Sequence, residues 1–303
     1  MGGRGTASGL SSGGASGSLP SLNALTQQAQ PEPAPAQQPA PQPAPAAAAA
    51  SGLVSDTGVQ DMDDATLTAL IARAMSAPHQ WATHDGRVDT PAQRIADALG
   101  LSARQPESVP QEALAQYRGG TYEQGTIYRT INDASGGKTA RQLAHELTTS
   151  SDIGLNFGGG RAYGTGLYFA GTGHTGGRNA GANESAQYGQ TASTSYTIEA
   201  RIKPGARIAT AADLSSRKAQ KWALAHKGAL RRLGLSVSSS GLVSQGTSTM
   251  RAADIQTTLA MLMGYDGFRN GYTDTPYYTI WNRGCLQVAR GNKYGRADRG
   301  RLQ

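Results

Sequence analysis

Twenty consecutive residues, PEPAPAQQPAPQPAPAAAAA at 31–50, contain no branched aliphatic and no aromatic side chain. Seven of the 14 prolines fall between Pro31 and Pro45. Each proline fixes φ and removes a backbone donor, so near-alternate prolines favour extended polyproline II and exclude both helix interior and sheet ladder. The thirty residues before them are dominated by Gly, Ser, Ala and Gln. Neither stretch offers a packing face. Residues 1–60 therefore read as a disordered Gly/Ser segment followed by a Pro/Ala/Gln-rich tether, and the folding problem is confined to residues 61–303.

The remaining composition removes several function classes. One cysteine, Cys285, in 303 residues excludes a disulfide scaffold and a cysteine-bound metal cluster. In the strand-like run NRGCLQV it reads as a small buried hydrophobe rather than a nucleophile. The five histidines are scattered, without HExxH, so no metal site is expected. No apolar run reaches the length of a membrane span, and residues 1–18 lack the apolar core of a secretory signal. The net charge of +7 permits an acidic partner without requiring one. Tyrosine, at 12, outnumbers Phe and Trp at 3 each, and it favours places where one end is packed and the other wet, as in clefts.

After residue 60 the pattern changes. Asp61, Asp63 and Asp64 precede Leu67, Leu70, Ile71 and Ala74, acids at a first turn followed by apolar residues at helical spacing. A second helix is expected at Thr90–Leu99, capped by Asp89 or Thr90, with Pro91 in its first turn and Gly100 at its stop. A third is expected from Ser108, with Gln111 completing a capping box. Residues 61–117 thus read as a small helical region, either a docking module or a cover for the next domain. Residues 118–290 alternate: strands at 126–131, 166–170, 196–202, 267–270 and 277–281, and helices at 139–147, 180–188, 215–233 and 251–263. A Ser/Gly-rich loop is expected at 235–249, and residues 291–303 as a basic tail.

There is no phosphate-binding loop ending in Gly-Lys-Ser/Thr, and GGGRAYGTG leads into a strand rather than a helix, unlike a dinucleotide fingerprint. What remains is an ordered set: Tyr128-Arg129 on a first strand, a helix, a Gly-rich loop, then GTGLYFA at 164–170, SAQYG at 185–189, and YYTIWN at 277–282. In this order the motifs resemble those of ADP-ribosyltransferases of the poly(ADP-ribose) polymerase type, above all the small versions in phage head proteins and bacterial toxins. The resemblance covers roughly residues 118–290 and implies an α+β fold with a split, two-sheet core.

That resemblance implies NAD⁺ as substrate, cleavage of its nicotinamide–ribose bond, and transfer of one ADP-ribose to a macromolecular acceptor, a host protein. It implies a triad of Arg129, Tyr168 and Tyr277. Tyr168 would stack on the nicotinamide, with Tyr163 packing over it from the loop. Arg129 would bind NAD⁺ phosphate or support the ribose, a task for which a permanently charged fork is suited. Ser185 would contact the nicotinamide amide. Tyr128, Thr130, Gly164 and Gly166 would complete the NAD⁺ subsite, the glycines by admitting close backbone approach. The family's last strand usually opens with a glutamate that stabilises the transition state; here Tyr277 stands there, and a neutral phenol brings no carboxylate charge. Asp274 and Glu199 are the nearby acids that could substitute. Thr130 likewise replaces a glycine.

Two other readings stay open. The chain could use a catalytically degenerate version of the fold as a structural or interaction protein, for example on a virion. It could also bind or modify nucleic acid, through the acid-free basic helix at 215–232 and the tail. The expected location is the cytoplasm, or a virion with delivery into a host cytoplasm, without membrane contact.

Overall fold

The near-continuous apolar runs of the second half form strands that bury both faces, and the 3.6-period stretches form the helices that cover them. The computed structural model describes residues 52–77, 90–101, 103–115, 126–132, 139–149, 164–171, 195–270 and 276–289. In chain order the elements are α1 (Asp64–Ser76), α2 (Pro91–Ala98), β1 (Glu107–Val109), α3 (Gln111–Ala115), β2 (Thr126–Asn132), α4 (Ala140–Thr149) and β3 (Leu167–Gly171). They continue with β4 (Ser195–Ile202), β5 (Ile208–Ala209), α5 (Ala211–Ser215), α6 (Arg217–Ala225), α7 (Lys227–Arg232), β6 (Ser236–Val237) and β7 (Val243–Ser244). The last are α8 (Ala252–Leu262), β8 (Gly267–Asn270), β9 (Tyr277–Ile280) and β10 (Leu286–Ala289).

The chain is mixed α/β around one large sheet. Its eight strands run in the order β1-β10-β4-β2-β3-β9-β8-β5. Both edge pairs, β1–β10 and β5–β8, are parallel, and the interior pairs are antiparallel. The expected division into two sheets is not what the ladders form: among the described residues one hydrogen-bonded sheet carries eight strands, and only the β6–β7 ribbon stands apart. A trace of a split survives within it. The β2–β4 ladder runs the whole length of β2, whereas β2 and β3 pair only at Ile127↔Gly171 and Tyr128↔Ala170.

Each face has its own core. On one, Leu143, Ala144 and Leu147 of α4 pack over Ile127, Ile131, Phe169, Ile198 and Tyr278. On the other, Phe268 and Trp281 are buried beneath α1, α2, α7 and α8, including Leu67, Ile71, Ile95, Leu230 and Leu262. Fully burying each such aliphatic side chain contributes roughly 1.5–3 kcal/mol. The caps are local: Thr90 accepts from Gln93 N at 3.2 Å to start α2, and Thr139 and Gln142 bond reciprocally ahead of α4.

Several elements differ from the sequence expectation. The expected tether reaches residue 60, but Val54 and Val59, in two 3-10 turns at Val54–Thr57 and Val59–Asp61, are completely buried. Asp266, itself without exposed surface, accepts from Val54 N at 2.7 Å and fastens this stretch to the sheet. Ser108, expected to start a third helix, lies in β1, because Val109 is buried and the run pairs with β10 from Glu107↔Gln287 to Val109↔Ala289; the short helix starts only after Pro110. The 61–117 stretch therefore supplies a strand to the sheet; α1 and α2 pack in the larger core, and Leu114 of α3 packs with Val109 and Ala289.

The single helix expected at 215–233 is two, α6 and α7, with Ser215 ending α5. Ser216 caps α6 by accepting from Ala219 N, and Asp64 accepts from Gly228 N and Ala229 N to start α7. At the break, both ring nitrogens of His226 face carbonyl oxygens, Trp222 O at 2.7 Å and Met62 O at 2.9 Å. The 235–249 loop contains the β6–β7 ribbon. The expected helix at 180–188 and the tail lie outside the described residues.

Candidate functional site

Strand register brings the candidate residues together. Glu199, Tyr128, Ala170, Tyr277 and Asn270 form one row across β4, β2, β3, β9 and β8. Side chains in a row share a sheet face, as do residues two apart on a strand. Tyr168, two residues before Ala170, and Thr130, two after Tyr128, therefore lie on that same face. The β2–β3 ladder, had it continued, would set Thr130 opposite Tyr168. Three tyrosines, 128, 168 and 277, thus surround the small side chain of Ala170 beside the parting of β2 from β3.

Arg129 points from the other face, in register with Ile198. It nevertheless reaches the parting: its Nη1 donates to the Tyr168 carbonyl at 3.0 Å. The side chain as a whole is half-buried, but Nε is fully shielded and meets no hydrogen-bond acceptor among the described residues. Burial pulls the guanidinium down to about 10, which still leaves it protonated at neutral pH. Tyr168 is half-buried, and its hydroxyl donates to Gly164 O at 2.5 Å. Tyr277 is also half-buried, whereas Tyr128 is 1% exposed.

The expected substitute acid Glu199 shares this face and is 2% exposed. It stands three strands from Tyr277, roughly 14 Å by strand spacing. Thr130 Oγ1 lies 2.8 Å from Thr197 Oγ1, so its side chain is engaged on β4. Tyr163, Ser185 and Asp274 lie outside the described residues, as does the loop before Gly164.

The Gly-Thr-Gly that precedes β3 has a structural task that sequence reasoning missed. A Cβ at Gly164 would lie 2.5 Å from Ala253 O, and one at Gly166 would lie 2.7 Å from Thr279 Cγ2. Between them, Thr165 is completely buried and donates to Asp254 Oδ1 at 2.7 Å, with Thr90 Oγ1 at 3.1 Å. The turn is thereby pinned to α8 and to the cap of α2, and it sets where Tyr168 emerges. A threonine between two glycines is the only signal for this in the sequence. Cys285 is buried, and burial pushes its thiol well above the usual range, which suits the packing role expected for it.

Among the described residues no helix is long and apolar enough to cross a membrane. Comparison with protein-family models, curated proteins and solved structures finds no match to this chain.

Proposed function

We propose that the chain is a mono-ADP-ribosyltransferase that moves ADP-ribose from NAD⁺ to a protein acceptor. The observation that carries this reading is the adjacency of β2, β3 and β9, which gathers Arg129, Tyr168 and Tyr277 at one parting of the sheet. Motifs some 150 residues apart in sequence thus supply an aromatic surface and a fixed cation side by side. Tyr168, with Tyr277 and Tyr128 around Ala170, would hold a planar ring. Arg129 would neutralise phosphate at the other side of the parting. Glu199 is an acid on the tyrosine face, in register with Tyr128. The ADP-ribosyltransferase-type core belongs to this proposal.

A second reading has its own support. The Arg129 Nη1 and the Tyr168 hydroxyl are both occupied by backbone carbonyls, and no acid stands at 277. A binding or structural role with a degenerate site accords with those features. One experiment separates the two. The purified chain is incubated with radiolabelled NAD⁺ and a bacterial lysate, beside Tyr168→Ala and Arg129→Ala variants that retain the native circular dichroism. Transferred label that both substitutions abolish supports the enzyme. Saturable NAD⁺ binding with neither transfer nor NAD⁺ hydrolysis would establish the degenerate site, and absence of both binding and turnover removes NAD⁺ from the account.

A further inference from the structure

We propose that the outward surface of α6 and α7, with the cleft beside α7, docks the phosphate backbone of double-stranded nucleic acid. Residues 214–253 contain seven Lys/Arg and no Asp or Glu. Six of those cations, Arg217, Lys218, Lys221, Lys227, Arg231 and Arg232, lie on the two helices, and all six are exposed. Their placement is systematic. On α6 the buried residues are Ala219 and Ala223, and the three cations fall on the opposite arc of the helix. On α7 the buried residues are Ala229 and Leu230, and the cations again face away. Asp64, Asp63 and Asp213 border this region: Asp64 accepts from Gly228 N and Ala229 N, Asp63 caps α1 near His226, and Asp213 closes the capping box that starts α5. The six cations outnumber these acids, so the ridge keeps a net positive field.

A cleft of about 260 Å³ gives the ridge a specific seat. Lys227 and Arg231, one turn apart on α7, form one wall; Gly234, Ser236 and Thr247 contribute to the others. Two cations with two hydroxyls around a small polar hollow are matched to phosphate oxygens. The large aromatic anchors of a protein–protein contact are absent from its lining. Single strands are disfavoured as well, because they need exposed aromatic faces for stacking. Trp222 is the aromatic on these helices, and it stacks on His226 at 4.4 Å and packs against the core. What remains is sequence-independent contact with the backbone of a duplex.

The test is fluorescence anisotropy of the full chain with a labelled duplex of mixed sequence, titrated at several salt concentrations. If all six cations contact phosphate, log K against log salt has a slope of about −5, a loss of roughly 10³-fold between about 50 and 200 mM salt. The Lys227→Ala/Arg231→Ala double variant should flatten that slope by about 2. Lys203→Ala, which removes a cation already 3.7 Å from Glu107, should leave it unchanged. Lys227 and Arg231 are exposed and Lys203 is partly so, and circular dichroism verifies folding of each variant. An unaltered slope in the double variant would overturn the assignment, since cations elsewhere would then carry the binding. Tighter binding to a poly-glutamate peptide of equal charge than to the duplex would overturn it in favour of an acidic protein. Absence of duplex binding at low salt does the same outright.

Discussion

Replacing Gly164 by alanine tests whether the turn before β3 is set by backbone packing. Gly164 has φ +89°, and an added methyl would lie 2.5 Å from the Ala253 carbonyl oxygen and 2.5 Å from Thr257 Cγ2. Two penalties combine. A non-glycine residue in the left-handed region costs about 1–2 kcal/mol. Forcing a methyl into a closely packed contact costs about 1–3 kcal/mol more, because the Ala253 carbonyl belongs to α8 and cannot swing aside. The sum is about 2–5 kcal/mol. Gly100 provides the matched control: its φ is +69°, and nothing lies within 4 Å of its added methyl. Gly100→Ala should show the backbone penalty alone, about 1–2 kcal/mol. Urea unfolding of wild type and both variants, followed by far-ultraviolet circular dichroism, measures the two losses. Equal losses would refute the packing argument, because the contact with α8 is the feature that distinguishes the sites. Gly164 O also accepts the Tyr168 hydroxyl, so displacement of the turn should weaken any NAD⁺ binding in parallel.

Asp266 accepts from Val54 N, Arg207 N and Asn282 Nδ2, and its burial raises its pKa despite those donors. A carboxyl that holds its proton more tightly in the fold than in the unfolded chain contributes stability below the ordinary value of 3.8, and that contribution disappears as pH rises through the elevated folded value. Asp266→Asn should therefore cost more stability relative to wild type at about pH 4 than at pH 7, and a deficit that grows toward neutrality in urea titrations would contradict this sign. Cys285, fully buried with its thiol pushed up, should resist a maleimide in the native chain and react fully in denaturant, as mass spectrometry would register.

Local signals carry most of the architecture. Acids ahead of Leu67, Leu70 and Ile71 mark α1, and Thr90-Pro91 with Gly100 bracket α2 to within a residue. The failures share one cause: they are decided by partners distant in sequence. Ser108 carries a helix-start pattern, yet the edge of β10 pulls Glu107–Val109 into the sheet. The 215–233 stretch has continuous helical periodicity, but Met62 O and Asp64 engage His226, Gly228 and Ala229 from 164 or 165 residues away and divide it. Val54 and Val59 sit beside a low-complexity segment and resemble its continuation; only the Asp266 carboxylate reveals their place. For the candidate site, residue types are legible and faces are not. The register puts Tyr128, Thr130, Tyr168 and Tyr277 on one side of the sheet and Arg129 on the other.

That division recasts the part played by Arg129. A strand residue on the far side of the sheet could not join a site on the tyrosine side unless the strands separated between them. They do separate, and they begin to do so at Arg129: the ladder closes at Tyr128↔Ala170, and the next carbonyl that β3 offers in this direction, that of Tyr168, is taken by the Arg129 Nη1 in place of a backbone N–H. A guanidinium is longer than a peptide N–H, so substituting one for the other both satisfies the carbonyl and keeps the strands apart. The same side chain that would meet a phosphate thereby maintains the opening through which it would meet it. The Gly-Thr-Gly turn acts from the other end, fixing β3 to α8 so that the strand cannot drift back to close the gap. Packing therefore requires both glycines. Arg129 differs, because its contact with the Tyr168 carbonyl bridges β2 and β3 where their ladder has ended.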